Sequence, residues 1–196
     1  MASSVGSAVP EVSKSVARRL REHVGGSFRA ESFHNQDESE SVFIITLSDV
    51  PDRELSLYST AGLVEHPNLL QGTNIPVELM AVAPTQDLAM KNVLATASFN
   101  VSLSGWLAAP GVVFPNAISD YFPNTTVPHV MWTEAFTYPE LSTMQVAEGV
   151  AAHWLQAVPL SDSEAAFLRR HGFDALDRLL GESGVDLFDL RRNPLR

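Results

Sequence analysis

His129-Val-Met-Trp-Thr-Glu-Ala-Phe136 and Val146-Ala-Glu-Gly-Val-Ala-Ala-His-Trp-Leu-Gln-Ala-Val-Pro-Leu160 are the two stretches that decide how this chain folds. Both are mainly apolar runs bounded by turn formers. Strands are therefore expected over 130–135 and 146–158, paired with each other and joined through Pro139. Ser161-Asp-Ser-Glu164 follows at once. It is a capping box: the serine hydroxyl serves the amide three residues on, and the glutamate reaches back. A helix is expected over 161–171, stopped by Gly172, with a shorter one over 175–180 ended by Gly181.

Upstream, Val12, Val16, Leu20 and Val24 recur every four residues, with Lys14, Arg18 and Arg21 off that stripe. This predicts an amphipathic helix over 10–24 with a solvated basic face, ended by Gly25-Gly26. Strands are expected over 28–33, 42–47, 54–60 and 77–82, the third by its strict alternation around Leu55 and Leu57. The segment 61–76 reads as a loop through Pro67 and Gly72. Residues 85–105 read as a helix, and 110–128, with four prolines, as a long loop of the kind that carries function. Strands that do not alternate regularly with helices predict an α/β (α+β) chain. Its central sheet is mixed and largely antiparallel, flanked by helices, in a single domain over 10–196 after a loose leader over 1–9.

Composition narrows the function. The chain of 196 residues is 45% hydrophobic, enough for a sizeable core, and has no apolar stretch long enough to span a membrane. It contains no cysteine, which removes disulfides, thiolate nucleophiles and thiolate metal sites and fits a cytoplasmic protein. The net charge of −10 is unevenly placed. Residues 31–165 carry sixteen acidic side chains against Arg53 and Lys91 alone. Such a surface repels phosphates, so nucleic acid is not expected as a ligand. It would speed the approach of a basic protein, and it also serves solubility.

No pattern of catalysis stands out. None of the six histidines is three or four residues from another, and neither G-x-S-x-G, G-x-G-x-x-G nor a phosphate-binding G-x-x-x-x-G-K-[ST] occurs. The pairs Asp49/Asp52 and Glu134/Glu140 suit turns and surface better than acid–base work. No metal and no cofactor is expected. A hydrolase whose histidines and acids meet only in the fold stays open as the alternative. Trp132 and Trp154 sit in strand patterns and are expected in the core. Trp106, beside Gly105 and ahead of the proline-rich loop, suits an exposed anchor.

Several motifs, in order, resemble the suppressor of fused family. The alternating strand into Gly62-Leu-Val-Glu65 is similar to a strand leading into Gly-Leu-Ser-Asp, with the serine missing and the acid changed. Val77-Glu-Leu-Met80 is similar to a Phe-Glu-Leu strand, Val130-Met-Trp-Thr-Glu134 to Leu-Leu-Thr-Glu, and Leu187 to Arg192 to a final Asp-Met-Arg-Arg. The likeness runs from about Leu55 onward. It implies a non-catalytic domain that binds proteins, in animals taking a short peptide as an added strand. The compact bacterial members act as immunity proteins against toxins. A basic toxin domain or an extended peptide strand is the partner it implies, with no nucleic acid and no membrane; a stand-alone regulator that binds a cellular protein instead of a toxin stays open as an alternative. Contact residues expected on this basis are Tyr58 and Glu65, in the region resembling the peptide-binding strand, and Trp106, Asp120 and Tyr121 beside the long loop.

Overall fold

A computed structural model describes residues 9–195. The leader expected over 1–9 therefore lies, but for Val9, outside the described residues. The elements in chain order begin with α1 (Glu11–Val24), β1 (Ser27–His34), β2 (Ser41–Ser48) and β3 (Leu55–Ala61). A 3-10 turn (Leu63–Glu65), β4 (Leu69–Leu70), β5 (Thr73–Asn74), β6 (Val77–Pro84) and α2 (Met90–Ser102) follow. After β7 (Val113–Phe114) and β8 (His129–Glu134) come a second 3-10 turn (Pro139–Leu141), β9 (Met144–Ala147), β10 (Val150–Leu160), α3 (Asp162–His171) and α4 (Phe173–Ser183).

The main sheet runs β1-β2-β3-β6-β10-β8-β7, with β9 also paired to β10. Among the described residues, only β6 and β10 pair in parallel; the other strand pairs of the sheet are antiparallel. This is the mixed, largely antiparallel sheet flanked by helices that the sequence predicts. Because side chains alternate along a strand, β3 and β6 feed two cores. Tyr58, Leu79 and Ala81 face α2, together with Val93, Leu94 and Trp132. Leu57, Met80 and Val82 face α1, together with Val16, Leu20 and Trp154. A third cluster packs Leu168, Leu176 and Leu180 of α3 and α4 on Met131, Val158 and Leu160. Trp132 and Trp154 are fully enclosed, and the Trp154 indole donates to Ser59 Oγ at 3.0 Å.

Several segments depart from expectation. The strand expected over 146–158 is a hairpin: the chain turns at Glu148-Gly149, where Gly149 takes φ 72°, and divides into β9 and β10. The helix expected over 85–105 starts later. Thr85-Gln86-Asp87 form a turn closed by Asp87 N–H on Pro84 C=O (2.8 Å) and Met90 N–H on Asp87 C=O (3.0 Å). The last helix continues through Gly181 to Ser183, held by the burial of Leu176 and Leu180, which outweighs a glycine cost of about 1 kcal/mol. The loop expected over 61–76 contains the β4–β5 hairpin.

The capping box at Ser161 is present in both halves. Its glutamate does more than cap. Glu164 is 1% exposed and meets the Arg192 guanidinium in a two-pronged pair at 2.6 and 2.8 Å. Arg192 also donates to Pro159 C=O, and the Leu195 amide donates to Glu164, so one carboxylate ties β10, α3 and the C-terminal segment together. Burial works to raise the Glu164 carboxyl, but the Arg192 guanidinium and the two backbone donors hold it below the usual range.

Candidate functional site

A buried carboxylate sets the geometry on one side of the sheet. Glu78, on β6, is fully enclosed and accepts hydrogen bonds from the Gly62 amide (2.8 Å), the Val64 amide (3.2 Å) and the Thr60 hydroxyl. It thereby pins the 3-10 turn that follows β3. Burial pushes its carboxyl up to about 7, against the pull of those donors. Gly62 itself sits at φ 111°, and a Cβ there would run into Ser13 Oγ of α1, so only glycine fits. The turn presents Glu65 to solvent.

Asn68 fixes the next stretch. It is 1% exposed; its amide donates to Ile75 C=O (3.1 Å) and Ala108 C=O (2.9 Å), and its oxygen accepts from Ala108 N–H (2.9 Å). One side chain thus ties the β4–β5 hairpin to the loop after α2. Gln71 and Gly72, both at positive φ, close that hairpin and leave Leu69 and Leu70 58% and 41% exposed. Asn68→Ala would orphan three buried backbone groups. We expect a loss of about 2 kcal/mol in urea unfolding, with added protease sensitivity between Pro67 and Gly72.

The hairpin walls a mostly apolar hollow of about 380 Å³. Leu70, Ile75, Leu107 and Leu155 line it, with Glu134 and His153 as its ionisable groups. His153 Nδ1 lies within hydrogen-bond reach of Thr143 Oγ1 (2.9 Å) and Ser142 C=O (3.2 Å), which fixes the ring at the wall. Beyond Pro110 and Glu134, which border both, lies a second hollow of about 430 Å³ between β8 and α4, with Phe136 46% exposed beside it. Just ahead of Leu107, Trp106 is 40% exposed. Its ring meets Phe114 edge-on at 4.9 Å, and Phe114 meets Trp132 edge-on at 5.5 Å, so the exposed indole is backed by a rigid aromatic column. Two adjoining apolar hollows, with exposed Leu70 at the first and exposed Phe136 at the second, suit the docking of another protein's side chains. Among the described residues, no three histidine or acidic side chains lie close enough together to hold a metal ion.

The residues picked from sequence do not converge on one spot. Tyr58 is corrected: it is 1% exposed, in the core beneath α2, with its hydroxyl raised in pKa by burial, so it offers no surface to a partner. Tyr121 is half-buried and its hydroxyl bonds Thr96 of α2 at 2.5 Å, while its neighbour Asp120 is exposed. Glu65 and Trp106 both flank the C-terminal end of α2. Glu65 lies near Ser98 and Ser102, and the Trp106 amide donates to Asn100 C=O at 2.9 Å. Sequence reasoning missed Glu78, Asn68, Leu69 and Leu70. A lone glutamate in an apolar strand, and Gln-Gly between short runs, were the available signals.

The family model for Suppressor of fused protein (SUFU) matches residues 38–193. The chain is 31% identical over 186 residues to the immunity protein YqcF of Bacillus subtilis (strain 168), covering 94% of this chain and 97% of that one. Among solved structures, it is similar to a suppressor of fused homologue from Neisseria gonorrhoeae FA 1090, with a TM-score of 0.73, 15% identity and 94% of each chain covered. It is also similar to a chain of the Sufu–Fu complex crystal structure, with a TM-score of 0.63, 12% identity, and 94% and 89% of the two chains covered. The family match begins earlier than the Leu55 boundary drawn from motifs. Fold, sequence and order of motifs thus agree, and the chain belongs to the suppressor of fused family.

Proposed function

We propose that this protein is an immunity protein, which neutralises a cognate toxin in the bacterial cytoplasm by binding and covering it, with no chemistry of its own. The observation that carries this reading is the 31% identity, over nearly the full length of both chains, to a protein named for immunity. The surface supports it. The adjoining hollows and the exposed Leu69, Leu70, Trp106 and Phe136 offer apolar anchor points. The acidic excess of residues 31–165 favours a basic partner and disfavours nucleic acid.

Affinity capture from the source cell, followed over rising salt and read by mass spectrometry, tests this. A single basic protein, released as salt rises and relieved of its toxicity on co-expression with this chain, is the expected result. The double variant Leu69→Asp, Leu70→Asp should weaken capture by about a hundredfold or more, while the thermal midpoint stays near that of the parent. Recovery of no protein partner would overturn the reading.

A further inference from the structure

We propose that β1 is a self-pairing edge, through which two copies of this chain join their sheets into one. β1 is eight residues long, is the last strand of the sheet, and is exposed along most of its length. The helices stop short of it. α1 lies over β2, β3 and β9, and α2 over β2, β3 and β6; β1 meets the α2 side through Phe33 and through Glu31, which Lys91 grips at 2.9 Å. Neither proline nor a bulge protects the strand, whose eight residues all pair with β2 in unbroken register. Its outer backbone groups are therefore a template for another strand.

Symmetry and charge select the occupant. In an antiparallel β1–β1 pair the twofold axis stands perpendicular to the sheet, so each face continues into the same face of the partner. Residues directly opposite must share a face, so their numbers must differ by an even count. Among the central registers this leaves, Arg29 opposite Arg29 and Glu31 opposite Glu31 both place like charges together. The register centred on Ala30 sets Arg29 opposite Glu31 twice, and Phe28 opposite Ser32 twice. The Phe28 placement has a second consequence. Phe28, Ala30 and Ser32 line an open apolar hollow of about 370 Å³ against Val9 and Ala17, and Phe28 is 38% exposed. In this register each Phe28 ring comes to lie beside Ser32, on the rim of the other copy's hollow. This surface is separate from the hollows proposed for the toxin.

The chain has no cysteine, which gives a direct test of register. Ala30→Cys places two thiols opposite each other, with Cα atoms about 4.5–5.5 Å apart, within disulfide reach. Ser32→Cys places them roughly 13 Å apart, out of reach. Mild oxidation should therefore cross-link the first variant into a dimer and leave the second monomeric. Sedimentation of the uncross-linked parent should show a concentration-dependent dimer, weakened about tenfold by Arg29→Glu, which turns two attractive pairs into repulsive ones. A parent that stays monomeric throughout, equal cross-linking of both cysteine variants, or a dimer indifferent to Arg29→Glu would each overturn the proposal. So would protection of β1 from hydrogen exchange only in the toxin complex, which would assign the edge to a strand of the toxin instead.

Discussion

Glu164→Ala is expected to lower the unfolding free energy by about 3–5 kcal/mol and the thermal midpoint by about 10 °C or more. The size follows from what is left behind. Arg192 is 5% exposed and would keep a buried charge with no counter-ion, beside Ser161 and Leu195 amides stripped of their acceptor. Glu164→Gln keeps the shape and one acceptor and should lose less. The pair Glu164→Leu, Arg192→Met removes both charges and should recover part of the loss, though not the cap. Urea unfolding of the four proteins checks the ranking. A loss below about 1 kcal/mol for Glu164→Ala would mean that Arg192 swings out to water, and that the clamp contributes little. The Glu164 carboxyl is depressed in the fold. Its contribution is therefore present above the ordinary carboxylate pKa and fades as acid protonates it.

Glu78 has the opposite sign. Its carboxyl is raised from 4.5 to about 7, so between those values the folded chain holds a proton that the unfolded chain has lost. Unfolding then releases a proton, and stability falls as pH rises through that window, by roughly 3 kcal/mol in all. Above pH 7 the penalty is complete. Glu78→Gln cannot ionise, can still accept from the Gly62 and Val64 amides, and can donate to Thr60 Oγ1. Relative to the parent it should gain roughly 3 kcal/mol on going from pH 4.5 to pH 8. Chemical denaturation of both proteins at the two pH values measures this. Parallel pH profiles would show that the folded carboxyl titrates normally, through water reaching the site.

What could be read in advance was what local chemistry controls. The helix after Pro10 announces itself by its four-residue stripe, and α3 by Ser161 and Glu164, whose capping bonds need no distant partner. The β8–β10 pair was legible because both strands are mainly apolar runs. The hairpin at Leu69–Asn74 was not, since two-residue strands carry no period, and Asn68, which holds it, acts through Ala108, forty residues on. Tyr58 was misplaced because alternation tells which residues share a face but not whether that face is covered. Here both faces of β3 are covered, one by each of α1 and α2. Glu78 was invisible for a related reason: its partners, Thr60, Gly62 and Val64, are set by tertiary turn geometry. Leu69, Leu70 and Phe136 owe their place in the candidate site to exposure, a property no single-residue pattern reveals.

The parallel pairing of β6 with β10 has a consequence for how the protein is made. Strands β1, β2, β3 and β6 emerge first and can pair in sequence, leaving β6 as a bare, almost wholly apolar edge. Its neighbour on that side ends at Leu160, more than seventy residues later. At ordinary synthesis rates that interval lasts roughly 4–15 s. Throughout it the nascent chain displays the kind of edge that recruits other unfolded chains. Until β10 has slotted in, the β8 and α4 walls of the second hollow have no strand to rest on. The half-made sheet is therefore the stage of synthesis at which a chaperone would matter most.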